Sequence, residues 1–186
     1  MVGGLDIQLR EVAPGFQRDP ELVAAGYRWH VLHTRSRQEK VIAGALSGAG
    51  AFPFLPLQRK VTYYGHRKRV VEVPLFTCYL FVWGLLEHAY LATGSKRACQ
   101  VIAVDDQDRF DQELNHLSRV INLGGSFQHY DFLIRGRRVR VTAGPFEGVE
   151  GIVEEGPRRD RLALQVHAIG RSLSLEIDAS LLEPVD

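Results

Sequence analysis

Pro74-Leu75-Phe76-Thr77-Cys78-Tyr79-Leu80-Phe81-Val82 is apolar along most of its length, carries three aromatic rings and is entered through a proline. A short apolar run bounded in this way reads as a strand that begins at a bend. In a strand Tyr79 and Phe81 project from one face and Cys78 and Leu80 from the other. If helices cover only one side of the sheet, the two aromatics stand on the open side and form a sticky groove. About 60 residues later comes Gly144-Pro145-Phe146-Glu147-Gly148-Val149-Glu150-Gly151-Ile152-Val153, where glycines alternate with apolar side chains.

Working outward from the first run, Tyr27 to His33 contains Trp29, Val31 and Leu32 and predicts an opening strand. Ser36-Arg37-Gln38-Glu39 has the spacing of a capping box, in which a hydroxyl and a carboxylate each satisfy an orphan N–H at a helix start. Val41, Ile42, Ala45, Leu46 and Ala49 follow at helical spacing, and Gly48 and Gly50 make continuation costly. Phe52 to Tyr64 and Arg67 to Trp83 predict two extended arms joined at Gly65-His66, with Pro53, Pro56 and Pro74 confining the start of each arm to edges or bends. A helix over about Glu87–Lys96, a strand over Val101–Val104 and a helix capped by Asp105 or Asp106 complete the pattern. In that last helix Phe110, Leu114, Leu117 and Ile121 share a face, and Gly124 ends it. The expected fold class is α+β, a β-α-β-β-α-β-α sandwich with a mostly antiparallel sheet.

The chain divides accordingly into a tail (1–26), a first domain (27–123), a linker (124–134) and a second domain (135–186). In the second domain Val139 and Val141, then Leu162, Leu164 and Val166, then Leu173, Leu175 and Ile177 alternate with period two between glycine-containing turns. Such a pattern predicts a small antiparallel β-barrel.

Composition narrows the function classes. With 186 residues and 45% hydrophobic content the chain can bury a core. Its formal net charge of +1 conceals an asymmetry: residues 27–71 hold nine Lys/Arg against Glu39 alone, a local +8, which leaves −7 for the remainder. A polyanion beside the N-terminal half is the natural reading. Cys78 and Cys99 lack any paired spacing, so a disulfide framework or zinc site is not expected. No run of 18 apolar residues and no signal-like N-terminus occurs, which gives a soluble, cytoplasmic expectation. The seven histidines are scattered, and neither a phosphate-cradling glycine loop nor a nucleophile triad signature appears. No cofactor, no metal and no enzymatic activity are therefore expected.

In this order the segments resemble the NusG family of transcription elongation factors. Trp29-His30-Val31-Leu32 is similar to the opening strand of the family's N-terminal NGN domain, and Pro74 to Val82 to its central strand. Arg138-Val139-Arg140-Val141 through Gly144-Pro145-Phe146 to Gly151-Ile152-Val153 is similar to its KOW motif, which implies an SH3-like KOW β-barrel. Thr77-Cys78 stands where general factors usually carry Pro-Gly, so the chain looks more like the specialised, RfaH-like and polysaccharide-operon antiterminators. The resemblance implies binding to RNA polymerase, at the clamp helices of the largest core subunit, through His33, Tyr79 and Phe81. It implies contact with the non-template DNA strand, for which Arg35, Arg37, Lys40, Lys96 and Arg97 are the candidates. It implies recruitment of ribosomal protein S10 or Rho by the KOW domain, for which Phe146, Val149 and Ile152 are the candidates. A general housekeeping factor is the alternative within the family. A ribosome-associated KOW-domain RNA-binding protein is the alternative of another class, disfavoured by eight Arg and nine acids in 135–186.

Overall fold

The computed structural model describes residues 19–64, 67–124, 128–130, 136–154 and 161–185. It mixes helices with antiparallel sheets in two compact units, one running to Asp105 and the other from Asp106. The first 18 residues and the Gly65-His66 turn expected from the sequence lie outside the described residues. The expected tail is not featureless to residue 26, because Pro20–Ala24 forms a short helix, α1, with the Asp19 carboxylate accepting from Glu21 N–H at 2.9 Å.

The first unit continues as β1 (Arg28–Thr34), α2 (Glu39–Gly48), β2 (Phe52–Phe54), β3 (Leu57–Tyr64), β4 (Arg67–Pro74), β5 (Tyr79–Gly84), α3 (Leu86–Gly94) and β6 (Ala98–Ala103). Four strands pair antiparallel in the order β2-β5-β1-β6, and β3 and β4 form a separate ribbon. The two extended arms expected from the sequence are each split in two. Pro56 lacks the N–H to continue a ladder, and the chain bends again after Pro74.

One face of the four-stranded sheet packs under α2 and α3: Leu32, Leu80 and Val82 meet Ile42, Ala43, Leu46, Ala89 and Ala92. Gly84 is required by close approach, since a Cβ there would stand 2.9 Å from the His88 ring, whose Nδ1 caps α3 by accepting from Leu85 N–H. The other face carries Trp29, Val31, Phe81 and Trp83, all at most 2% exposed. This corrects the expectation for Phe81. It lies between Phe54, directly opposite it in β2 at 6.2 Å, and Phe76 at 5.8 Å, so the ring is core and not part of an open aromatic surface.

The second unit holds α4 (Gln107–Asn122), β7 (Gln128–Tyr130), β8 (Gly136–Val141), β9 (Glu150–Glu154), β10 (Arg161–Val166), β11 (Arg171–Glu176) and β12 (Leu182–Pro184). Asp106 caps α4 by accepting from Arg109 N–H at 3.0 Å. Val120 of this helix joins the core of Val139, Val141, Val149, Leu162, Leu164 and Leu175. The strands form one six-stranded antiparallel sheet, β12-β8-β9-β10-β11-β7, and the expected linker contributes β7, which pairs with β11. Gly151 is fixed by space, because a Cβ would meet Ala163 O at 2.6 Å.

Phe81→Ala should lower the unfolding free energy by about 3–5 kcal/mol, the usual range for deleting a fully buried ring, measured by urea denaturation of the full chain. An exposed docking aromatic would lose well under 1 kcal/mol.

Candidate functional site

The C-terminal end of β1 meets the start of β5 at the register pair His33↔Tyr79, where the two rings lie 5.3 Å apart, both half-buried. They are the last pair of the aromatic face and the part of it that reaches solvent. Immediately before Tyr79 the chain turns through Cys78, whose φ is +67. Both polar groups of Cys78's main chain are held. Its N–H donates to Glu39 Oε1 at 2.8 Å, and its carbonyl accepts from Thr34 N–H at 2.8 Å.

Glu39 therefore does something other than the sequence suggests. No capping box forms, because Arg37 is left-handed (φ +64) and the cap residue is Gln38, which makes no side-chain cap bond. The Glu39 carboxylate, 2% exposed, instead reaches across from the first turn of α2 to the strand entry. Burial first, then the Glu39 carboxylate and Cys99, push the Cys78 thiol above its ordinary pKa, so it stays protonated.

Two loops abut beside the ring pair. Arg35 N–H donates to Arg97 O at 2.8 Å, and the Arg97 guanidinium donates to Gln38 Oε1 at 2.8 Å. The loop after β1 and the loop before β6 thus bring Arg35, Arg37, Lys96 and Arg97 together, all exposed, with Arg37 and Lys96 on left-handed backbone. Lys40 is set apart from them: its Nζ donates to Glu72 O in β4 at 3.0 Å. Four of the five basic candidates therefore form one cationic patch.

The candidates of the second unit separate. Val149 is fully buried and belongs to the core, which corrects its expectation as a surface contact. Its position follows from the turn: Val149 N–H donates to Phe146 O and Gly148 N–H to Val141 O, with Gly144 and Gly148 at positive φ, and this pulls Val149 inward. Phe146 is half-buried against the same core. Ile152 lines a cleft of about 520 Å³ between α4 and the sheet. Within the cleft Glu113 accepts from His167 N–H at 3.0 Å and contacts its ring Nδ1, and Arg109 Nε donates to Glu113 at 3.1 Å. Glu150 receives Arg140 and Arg138, and these bonds, Arg140's first, hold its carboxyl below the usual range. His116, also on the cleft wall, is driven below its ordinary pKa mainly by burial, assisted by Arg119, Arg138 and Arg140 and opposed by Glu150.

Among the described residues no cluster of His, Cys, Asp and Glu could hold a metal ion, and no helix is long and apolar enough to cross a membrane.

Comparison with known proteins places these features in context. Residues 27–93 match a family model described as NusG, Transcription termination factor nusG. A transcription termination/antitermination protein NusG of Borreliella burgdorferi is 24% identical over 187 residues, spanning 84% of this chain and 98% of that protein. Among solved structures, the crystal structure of the MjSpt4:Spt5 complex in conformation B is similar over 85% of this chain and 97% of that one, at 16% identity and a TM-score of 0.27. The family match spans β1 to α3 and so includes both His33 and Tyr79.

Two stability outcomes follow from this geometry. Cys78→Gly should stabilise the chain by about 0.5–1 kcal/mol, read from the urea midpoint at unchanged slope, because glycine adopts positive φ without the Cβ clash. The second concerns pH. His116 and the half-buried His30 both sit below their ordinary value of 6.5, His30 chiefly through the partial burial of its ring. Between their folded-state values and 6.5 the unfolded chain binds more protons. Their contribution is therefore fully present above 6.5 and lost as pH falls below it. Urea midpoints measured from pH 7.5 down to 5 should decline, and His116→Gln should flatten the decline.

Proposed function

From the match of residues 27–93 to the NusG family, we propose that the chain is a NusG-type transcription elongation and antitermination factor acting in the cytoplasm. Its first unit docks on RNA polymerase, at the clamp helices of the largest core subunit, through the His33–Tyr79 ring pair. The patch of Arg35, Arg37, Lys96 and Arg97 lies on the non-template DNA strand. Bridging the two keeps the polymerase clamp from opening and so suppresses pausing and termination. The second unit closes as an SH3-like KOW barrel and recruits a further partner, ribosomal protein S10 or Rho, through Phe146 and Ile152.

The observation that supports this reading is a half-buried aromatic pair inside the matched segment, beside Arg35 and Arg37 of that segment and Lys96 and Arg97 just beyond its end. The two surfaces suit two kinds of ligand. Ring pairs of this kind anchor apolar faces of partner helices, and interface hot spots cost at least about 2 kcal/mol when truncated. Clustered cations bind phosphates with strong salt dependence. Thr77-Cys78, in place of the usual Pro-Gly, supports the operon-specific form of the activity over the general one. Occupancy on a few long operons, mapped along the genome, is the expected result for a specialist.

The decisive experiment is a pull-down of core polymerase with the full chain carrying His33→Ala and Tyr79→Ala. We expect loss of binding at unchanged folding, whereas wild-type retention overturns the docking surface. Replacing Arg35, Arg37, Lys96 and Arg97 by alanine should leave that binding within about threefold. It should flatten the salt dependence of single-stranded DNA binding by about 0.7 per lost phosphate contact. Co-sedimentation with ribosomal subunits and not with polymerase would favour the RNA-binding alternative.

A further inference from the structure

We propose that Glu39 is a positioning residue that sets the orientation of the His33–Tyr79 ring pair by fixing the backbone of Cys78. The inference rests on the docking role given above to that pair, but the geometry behind it stands by itself. Glu39 lies on the first turn of α2, far in sequence from β5, and is 2% exposed. Carboxylates are rarely buried to this degree without a specific partner. Its Oε1 takes the Cys78 N–H at 2.8 Å.

Cys78 is a residue whose backbone needs such a partner. A non-glycine residue at φ +67 persists only where its surroundings over-determine it. Two bonds do so here. Thr34 N–H ties the Cys78 carbonyl to β1, and Glu39 ties the Cys78 N–H to α2. Between them the peptide planes on both sides of Cys78 are fixed, and the next residue is Tyr79, whose own N–H returns to Phe76 O at 3.2 Å. The direction in which the Tyr79 ring leaves β5, and hence its 5.3 Å approach to His33, follows from that fixed turn. A charged acceptor makes the stronger bond, and the N-terminal turn of α2 is where a negative charge is favoured. Gln38, the neighbouring residue, accepts from the Arg97 guanidinium of the cationic patch through its side-chain amide oxygen. The first turn of α2 thus carries a clamp for each half of the surface.

The test uses the full chain labelled with fluorotyrosine, with the Tyr79 resonance identified by its absence in Tyr79→Phe. In the free protein Glu39→Ala should move and broaden the Tyr79 signal while leaving other tyrosine signals in place. Glu39→Gln, which keeps a side-chain oxygen acceptor, should restore it. Polymerase affinity should fall about tenfold in Glu39→Ala and stay within about twofold in Glu39→Gln. Cys78→Gly, which accepts the left-handed conformation unaided, should reduce the loss caused by Glu39→Ala to about twofold. An unmoved Tyr79 signal in Glu39→Ala overturns the proposal, as does a Glu39→Gln variant that behaves like alanine. Should Glu39→Ala fail to fold, the Cys78→Gly background decides: recovery of folding and of the wild-type Tyr79 signal in Glu39→Ala, Cys78→Gly supports the clamp, and a double variant that still fails to fold or shows a displaced signal overturns it. If wild-type protein shows no affinity for polymerase, the docking reading falls, while the fluorine spectra still decide the role of Glu39.

Discussion

The antiparallel register between β1 and β5 governs the first unit. Pairing Val31 with Phe81, Leu32 with Leu80 and His33 with Tyr79 sends Leu32, Leu80 and Val82 to the helix-covered face and the aromatic series to the other. Because side chains alternate with period two, a slip of one residue would exchange the two sets and expose a leucine and valine layer. Burial of both layers pins the register. A consequence is that Tyr79 and His33 must be cross-strand neighbours at the one end of the ladder where the aromatic face stops being core.

That end is also where the chain is least regular. Within a few residues of the ring pair Arg37, Cys78 and Lys96 all occupy left-handed backbone, and they are the non-glycine residues with positive φ among those described. Each such residue costs on the order of 1 kcal/mol, so the cluster has to be compensated by the bonds around it. The Glu39–Cys78, Gln38–Arg97 and Arg35–Arg97 bonds supply that support. Strain gathered at one edge of an otherwise regular sheet is the pattern expected where backbone geometry is set by a surface and not by the core.

Much of the fold was legible because periodicity reports the type of element. Strands through Leu162, Leu164 and Val166 and through Leu173 and Leu175, a helix after Glu39 and the Asp106 cap of α4 appear where the sequence placed them. Burial is less simple: Ala163, Ser172 and Ser174 are buried beside the leucines, and of the helix positions Val41, Ile42, Ala45, Leu46 and Ala49 only Ile42 and Leu46 are buried, with Ala43 joining them. What was hidden shares one cause: it depends on partners distant in sequence. Phe81 reads as outward by strand alternation, yet Phe54 and Phe76 close over it. Ser36 to Glu39 has the spacing of a capping box, yet Arg37's backbone breaks the box and frees Glu39 for Cys78. Val149 sits in a glycine-rich turn and still enters the core. The cationic patch was legible only as a list of residues. Its grouping requires loops 35–38 and 95–97 to touch, and Lys40, which looks equivalent in sequence, is drawn off to Glu72.

The two halves of the proposed surface differ in how they respond to ionic strength. Exposed cations interact across water and are screened over about 10 Å at 0.1 M salt, whereas aromatic contact depends on area removed from water and is far less sensitive. A ligand that engaged only Arg35, Arg37, Lys96 and Arg97 would be released by modest salt, and one that engaged only His33 and Tyr79 would not. The rings stand near the end of β1 and at the start of β5, the cations on the loops that follow β1 and precede β6, and Gln38 and Glu39 at the start of α2 are bonded to Arg97 on one side and Cys78 on the other.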